Sequence, residues 1–326
     1  MLFSALLILG LVTTQAVVAP TVSTEAAIKV VAGNGVVADL VRAIAGQDVE
    51  LFVLGQGADP HHYEPTPADA KKIESADLVI EFGLGLDRAM GKLHRSTGSK
   101  AKLLVVAEGL AKKGSDAAVT DHADHADHTE HADHTEHADH DHNHDHGSSA
   151  VDPHIWHDPS QVRILNERIC AALVAVRPAS AESFRSRSVE LDTQLVKLDQ
   201  WIKAQVQLIP ESKRLLVTTH DGLQSFGNRY GFRVVGIEMT SDGADVAPSQ
   251  LIKMVNALRE TKSAVVFGDA AHHSRIAATV AREANVRLIE TLRLDSLLQT
   301  PAAEQGKAYL ETMRLNVNTI VKALQD

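Results

Sequence analysis

An alternation of short apolar runs with helical stretches, which occurs twice along the chain, constrains the fold more than any other feature. In the first half, runs typical of buried strands lie at residues 28–35, 49–55, 77–83 and 101–107. In the second half, similar runs lie at residues 214–219, 232–238, 263–269 and 286–290. Strands that alternate with helices favour a mostly parallel sheet with helices on both faces. We therefore predict an α/β protein of two lobes, each built on a four-stranded, mostly parallel sheet with flanking helices.

A single long helical pattern separates the two halves and covers residues 181–206. Apolar residues recur along it, and no glycine or proline interrupts it. A helix of about 25 residues exceeds the usual length in globular proteins, so we expect a stiff strut between the lobes. The predicted organisation is an N-terminal lobe at 26–180, a linker helix at 181–208 and a C-terminal lobe at 209–326.

The first residues resemble a secretory signal peptide, which we place at residues 1–19. A mostly apolar stretch at 2–12 is followed by small and polar residues, as in exported proteins. This stretch is shorter than the roughly 20 residues that span a bilayer, which favours export over a membrane anchor. The only cysteine is Cys170, so no intrachain disulfide can form and no thiol near the signal peptide can carry a lipid. The sequence predicts a soluble periplasmic protein without lipidation.

A histidine-rich tract at residues 121–146 holds 10 of the 18 histidines, together with nine acidic residues and no lysine or arginine. Imidazoles bind zinc, copper, nickel and iron, and the carboxylates add negative potential around them. The tract has no apolar side chain larger than alanine, so we expect residues 112–150 to form a disordered loop. We predict that this loop binds metal ions weakly; the alternative is a solvated acidic spacer without a metal. Its candidate ligands are His122, His125, His128, His131, His134, His137, His140, His142, His144 and His146.

The charge balance outside this tract argues against a nucleic-acid partner. The net charge is −10, but the rest of the chain carries 33 acidic and 32 basic residues. No basic run occurs, and aromatic residues make up only 4% of the chain, whereas nucleic-acid surfaces are basic. With a nucleic-acid partner excluded, the histidine-rich tract indicates a protein that handles a transition metal. The selective metal site of that protein should lie in the folded lobes.

Four side chains outside the tract are candidates for that site because they follow predicted strands or adjoin the fold. His61 follows the second strand, His220 follows the strand at 214–219, and Asp295 follows the run at 286–290. His154 lies where the chain resumes after the histidine-rich loop. Open α/β sheets bind ligands at the carboxyl ends of their strands. A cation in the cleft between the lobes would bridge these residues.

The spacing of these residues forms no local metal motif, so other interpretations stay open. Each histidine, taken alone, fits a structural or surface residue as well as a ligand. The neighbouring carboxylates also allow a catalytic site, in which Glu64, Asp221 or Asp269 activates a metal-bound water. The nearby His157 fits either an exposed residue or one that supports the ligands from behind.

Several motifs together resemble the solute-binding proteins of zinc or manganese ABC importers, the cluster A-I family. They are GADPHHYEPTPAD, the acidic histidine-rich loop, DPHIWHDPS, VTTHDGLQSFGNRYGF, APSQL and LRLDSL, and they follow one another in the family's order. The resemblance implies two four-stranded lobes joined by one long helix, with a single ion in the cleft. It also implies an ABC permease and its ATPase as partners, and it leaves room for a periplasmic metallochaperone.

The resemblance further implies four metal ligands, namely His61, His154, His220 and Asp295. It favours His61 over the adjacent His62 and Asp295 over Asp269. His157 and Glu290 are possible supporting residues around the ligands. Manganese sites of the family carry two histidines and two carboxylates, whereas its zinc sites favour three histidines. Three imidazoles and one carboxylate suit four-coordinate zinc, since manganese prefers more oxygen ligands.

The predicted function is therefore the capture of Zn²⁺ in the cleft by an exported, monomeric protein that delivers the ion to an ABC importer. Four protein ligands leave no open position for catalysis, so we expect no enzymatic activity. One alternative is a manganese or iron solute-binding protein of the same fold. Others are a periplasmic zinc buffer that acts mainly through the histidine-rich loop, and a zinc hydrolase.

Overall fold

The computed structural model describes residues 26–56, 61, 63–110, 152–237, 247–271, 274–301 and 305–325. The N-terminal lobe is an alternation of strands and helices that ends with a long helix. Its elements are β1 (Ile28–Ala32), α1 (Gly35–Ala45), β2 (Val49–Val53), α2 (Pro67–Glu74), β3 (Leu78–Glu81), α3 (Arg88–Thr97), β4 (Lys102–Val105) and α4 (Pro159–Val176). The four strands are parallel and lie in the order β2-β1-β3-β4.

The helix α5 (Ala181–Val206) connects this lobe to a second lobe of the same plan. The second lobe contains β5 (Leu215–Thr218), α6 (Gln224–Tyr230), β6 (Arg233–Gly236), α7 (Pro248–Glu260), β7 (Val265–Asp269), α8 (Arg275–Ala284), β8 (Arg287–Leu292) and α9 (Ala308–Gln325). Its strands are also parallel, in the order β6-β5-β7-β8. The predicted α/β fold is thus confirmed, and we propose the domain division given above, with the linker at 181–208.

Side chains that accept hydrogen bonds from the first helical N–H groups fix where several helices begin. Asn34 Oδ1 accepts from the Val37 N–H at 3.0 Å at the start of α1. Asp158 accepts from the Ser160 N–H at 2.8 Å, next to a proline in the first turn of α4. Such caps pair donors that a helix leaves free at its start. They place the loops that precede α1 and α4 firmly against the lobe.

The helix α9 belongs to the C-terminal part of the chain but begins on the N-terminal lobe. Asp39 of α1 accepts hydrogen bonds from the backbone N–H groups of Ala308 and Tyr309, at 3.1 and 2.9 Å. Gly306 has a φ of 68°, and a Cβ built there would lie 2.3 Å from the backbone nitrogen of Ala43. Only glycine fits this close approach at that φ. The two lobes are therefore joined at α9 as well as through α5.

The predictions for the N-terminal segment and for the tract lie outside the described residues. These are the signal peptide at 1–19 and the ten histidines between His122 and His146. Within the described part of the chain, no helix combines the length and the apolar character needed to cross a bilayer.

Candidate metal centre

The four predicted ligands come together between the two lobes. The Asp295 carboxylate lies closest to His154, with 2.9 Å between Oδ1 and Nε2. His220 Nε2 lies 3.2 Å from Asp295 Oδ2, and His61 Nε2 lies 3.6 Å from Asp295 Oδ1. The Nε2 atoms of His61 and His154 are 3.2 Å apart. Donor atoms of His61, His154 and Asp295 all lie within 4.8 Å of one another, a spacing that one ion can fill.

The burial of these side chains differs, and the difference indicates where an ion can enter. His154 and Asp295 are 4% and 5% exposed, and His220 is 14% exposed. The His61 side chain is 30% exposed. The site is therefore closed on the sides of His154, His220 and Asp295, and it meets solvent at His61.

Two buried polar atoms at the site lack a well-aligned hydrogen-bond partner among the described residues. They are His220 Nε2 and Asp295 Oδ1. An unpaired buried donor or acceptor costs about 1–3 kcal/mol, so such atoms call for a partner. Both atoms are potential metal ligands, and three imidazole nitrogens with a carboxylate match a tetrahedral cation site. The arrangement fits a cation better than it fits a structural hydrogen-bond network.

Asp152 holds His154 from behind. Its Oδ1 accepts hydrogen bonds from the His154 backbone N–H at 2.9 Å and from Nδ1 at 2.7 Å. A proton on Nδ1 leaves Nε2 as the lone-pair donor that faces the site. The sequence analysis did not single out Asp152. The signal that identifies it is an aspartate two residues before the histidine, since such side chains commonly bond their own backbone two residues on.

Opposite charges at close range dominate the electrostatics of the site. Burial by itself lowers the pKa of His154, but the carboxylates of Asp152 and Asp295 outweigh it and raise that pKa to about 10. Burial would raise the pKa of Asp295, yet the imidazoles of His154, His220 and His61 hold it well below its usual value. The Asp295 carboxylate is therefore ionised, and a cation bound here would displace the proton that His154 holds beside it.

The backbone that carries Asp295 is held from both lobes. Asp269 Oδ2 accepts from the backbone N–H groups of Leu294 and Asp295, at 2.6 and 3.3 Å. Trp156 Nε1 donates to the Leu294 carbonyl at 3.0 Å, and His157 Nε2 lies 3.1 Å from the same oxygen. His157 is thus buried and supports the Asp295 loop, so the alternative of an exposed surface histidine does not hold. Through its two hydrogen bonds, Asp269 of β7 positions the same loop from the C-terminal lobe.

The other candidates are exposed or only partly buried, or they lie outside the described residues. Glu290 lies on β8, where its side chain passes over Gly268 of β7. Glu64 and Asp221, the candidate bases of a catalytic site, are exposed. His62, His272 and His273 lie outside the described residues.

Two cavities adjoin the site and share part of their walls. A cleft of about 600 Å³ between the lobes reaches Asp295, and a smaller cavity of about 150 Å³ is lined by His61. Gly33 and Leu54 line both. Asp295 thus faces one cavity and His61 the other, which places this side of the site within reach of solvent ions.

The family described as "Zinc-uptake complex component A periplasmic" matches residues 30–323 of this sequence. This chain belongs to that family. Its members are cluster A-I solute-binding proteins of ABC transporters that bind divalent metal ions, which confirms the resemblance drawn from the motifs. The family is one of solute-binding proteins of ABC transporters and not a family of enzymes.

Relatives of known name extend over nearly the whole chain. The manganese-binding lipoprotein MntA of Bacillus subtilis is 28% identical over 93% of this chain and 92% of its own length. The manganese ABC transporter substrate-binding lipoprotein PsaA of Streptococcus pneumoniae is 29% identical over 91% of this chain and 89% of its own. The periplasmic zinc binding protein TroA of Treponema pallidum shares the fold, with a TM-score of 0.73, 24% identity, and coverage of 92% of this chain and 99% of its own.

These relatives overturn one expectation drawn from the sequence. The prediction of a protein that carries no lipid is contradicted by the names of the relatives. Relatives that align with about nine tenths of this chain, and over about nine tenths of their own length, are named lipoproteins. The prediction rested on the lack of a cysteine near residue 20.

Proposed function

We propose that this protein captures Zn²⁺ between its lobes and delivers the ion to an ABC permease and its ATPase. The ligands are His61, His154, His220 and Asp295. The observation that carries the proposal is their convergence on one buried carboxylate, where His220 Nε2 and Asp295 Oδ1 lack a well-aligned hydrogen bond among the described residues. Four protein ligands complete a tetrahedral zinc site and leave no position for a reacting water. We therefore propose transport rather than catalysis, with a monomer as the working form.

The choice of zinc rests on the chemistry of the ligand set. Three imidazole nitrogens and a single carboxylate suit zinc, which accepts four nitrogen, sulfur or oxygen ligands. Manganese is a harder cation that prefers carboxylate, carbonyl and water oxygens. His220 is the ligand that decides the balance, because a carboxylate at this position would produce a site with two nitrogens and two carboxylates.

A second candidate cargo is Mn²⁺ or Fe²⁺, and the names of several relatives favour manganese. MntA and PsaA are named manganese-binding proteins, and they match this chain over nine tenths of its length. The matching family and TroA are named for zinc, so the names are divided between the two ions and the ligand chemistry favours zinc.

Competition titrations with Zn²⁺ and Mn²⁺ on wild-type protein and His220→Glu would separate the two. With zinc as cargo, the wild type prefers Zn²⁺ by several orders of magnitude. His220→Glu then narrows that preference by about 10-fold or more, because it replaces a nitrogen ligand by an oxygen ligand. A wild type whose preference for Zn²⁺ is no greater than that of His220→Glu would favour manganese as the cargo, because most nitrogen and oxygen sites bind Zn²⁺ more tightly than Mn²⁺. A wild type that binds neither ion would refute the metal centre.

Deleting residues 121–146 tests the alternative of a zinc buffer. With a cleft site, the shortened protein keeps one tight ion and loses only weaker ones. The loss of all tight binding would move the function to the histidine-rich tract. We also propose that a periplasmic metallochaperone donates zinc to this protein. A fraction of periplasmic extract that transfers Zn²⁺ to the metal-free protein would identify that donor.

A further inference from the structure

Arg229 on α6 connects three separate segments of the chain. Its guanidinium donates two hydrogen bonds to Asp199 of α5, from Nε to Oδ1 at 3.0 Å and from Nη2 to Oδ2 at 2.9 Å. Its Nε also lies 3.2 Å from Oδ1 of Asp158, the residue that caps α4. All three side chains are mostly buried. A planar fork of donors on a carboxylate is the geometry that arginine provides and lysine does not.

Further groups complete this cluster around Asp199. Tyr230 donates from its hydroxyl to Asp199 Oδ1 at 3.0 Å, and Lys203 Nζ lies 2.7 Å from Oδ2. Burial alone would raise the pKa of Asp199, but the hydrogen bonds from Arg229, Lys203 and Tyr230 outweigh it and hold the pKa below its usual value. The carboxylate stays ionised, and Arg229 carries the positive charge that faces both acids.

Two of the three segments that meet at Arg229 also meet at the metal centre, namely the His154 turn before α4 and the His220 loop before α6. Asp158 lies at the end of the short turn that begins at His154. The helix that carries Arg229 begins directly after the loop that carries His220. His154 and His220 lie in ring contact, with their centroids 5.8 Å apart. One pair of segments therefore has two points of contact, one at the proposed ligands and one at the charge cluster.

We infer that Arg229 is a positioning residue for the metal centre, which sets how the His220 loop faces His154 and thereby how slowly a bound cation leaves. This inference rests on the proposed function. Removal of the guanidinium would leave two mostly buried carboxylates, Asp158 and Asp199, facing each other with less positive charge between them. The loss of these contacts would weaken the attachment of α6 to Asp158 at the start of α4 and to Asp199 of α5, and the His220 loop would move with α6. Outer residues that orient metal ligands typically contribute 10–100-fold in affinity.

A matched ion pair elsewhere provides the control. Arg163 of α4 bonds Asp192 of α5 through Nε at 2.6 Å and Nη2 at 3.0 Å. This pair has the same two-pronged geometry and the same partner helix. It joins α4 to α5 without any contribution from the second lobe. Arg163→Gln thus removes a similar ion pair but leaves the tie between the ligand segments intact.

The experiment compares the full-length wild type with Arg229→Gln, Arg229→Lys and Arg163→Gln. Each protein is loaded with Zn²⁺, and the rate at which its most slowly released ion passes to an excess of chelator is measured. Urea unfolding of the metal-free proteins is recorded alongside. We expect Arg229→Gln to release the ion about 10-fold faster or more, Arg229→Lys to release it a few-fold faster, and Arg163→Gln to match the wild type.

Each outcome decides one question. Equal release rates for Arg229→Gln and Arg163→Gln, with both proteins folded, would overturn the inference and leave Arg229 a purely structural residue. If Arg229→Gln does not fold, Arg229→Lys carries the test, and a wild-type release rate in that variant would overturn the inference as well. A wild type with no slowly released ion would instead refute the proposed function.

Discussion

At the scale of single residues, the behaviour of His154 as a ligand depends on the residue behind it. Asp152 fixes the ring through Nδ1 and the backbone through N–H, so Nε2 has one orientation. The other oxygen of Asp152 is buried and has no hydrogen-bond partner among the described residues. The carboxylate therefore serves the histidine almost exclusively, and its negative charge makes the imidazole a better donor to a cation.

Asp152→Asn should weaken Zn²⁺ binding by about 10–100-fold, because an amide keeps the shape of the side chain but removes its charge. Competition with a chelator of known affinity measures the change. Asp192→Asn, which removes a carboxylate far from the ligands, should leave the affinity unchanged. An Asp152→Asn protein that binds Zn²⁺ as tightly as the wild type would show that the carboxylate does not tune the ligand.

At the scale of elements, the sequence predicted most of the helices and strands because their apolar periodicity is strong. The predicted helix at 181–206 coincides with α5, and all eight strands exist. The helix α3 was not predicted, since only Met90 and Gly91 of it are buried and its pattern is weak. A Cβ on Gly91 would lie 2.3 Å from Glu81 Oε2, so a larger residue would displace the Glu81 side chain, a contact that no local pattern reveals.

The candidate site was predictable only in part, for a related reason. The carboxyl ends of parallel strands meet at one edge of a sheet, so the chain order already placed His61, His220 and Asp295 at such edges. Which loops face one another across the cleft depends on how the lobes dock. Contacts such as Arg229 with Asp158 join residues far apart in sequence, and no spacing rule foresees them.

The junction of α1 and α9 should give stability a distinct pH dependence. Burial raises the pKa of Asp39 from 3.8 to about 6, and the Tyr309 and Ala308 N–H groups, Arg42 and Glu311 only modify this shift. A raised pKa means that the folded protein holds the proton more tightly than the unfolded chain. This contribution is therefore full below about pH 4 and is lost as the pH rises through about 6, by up to about 3 kcal/mol.

Asp39→Asn provides the measurement, because asparagine does not titrate. The free energy of unfolding of the metal-free protein is determined by urea at several pH values between 4 and 7. The wild type should lose stability relative to Asp39→Asn across this range. A difference that stays constant, or that changes in the opposite direction, would contradict the assignment of the shift to Asp39.

At the scale of the whole molecule, the largest apolar cluster spans both lobes, and each lobe has a smaller cluster of its own. A single cluster of buried side chains includes Val30 of β1, Leu165 of α4, Leu195 of α5, Phe267 of β7 and Tyr309 of α9. The close approach of Gly306 to Ala43 and the hydrogen bonds at Asp39 add a second connection between the lobes. The molecule therefore resembles one body with a cleft more than two bodies on a flexible hinge.

A shared core predicts that both lobes unfold in one transition, and that a bound ion stabilises both together. Urea unfolding is followed by far-UV circular dichroism, and by fluorescence of a Trp201→Phe variant in which Trp156, beside the metal centre, reports alone. The two curves should coincide for the metal-free protein. Zinc at about 1,000 times its dissociation constant should shift both by about 4 kcal/mol, because an ion that binds only the folded state stabilises everything that unfolds with its site. Two separate transitions, with zinc moving only one of them, would show that the lobes are independent and that the contacts of α9 on α1 do not couple them.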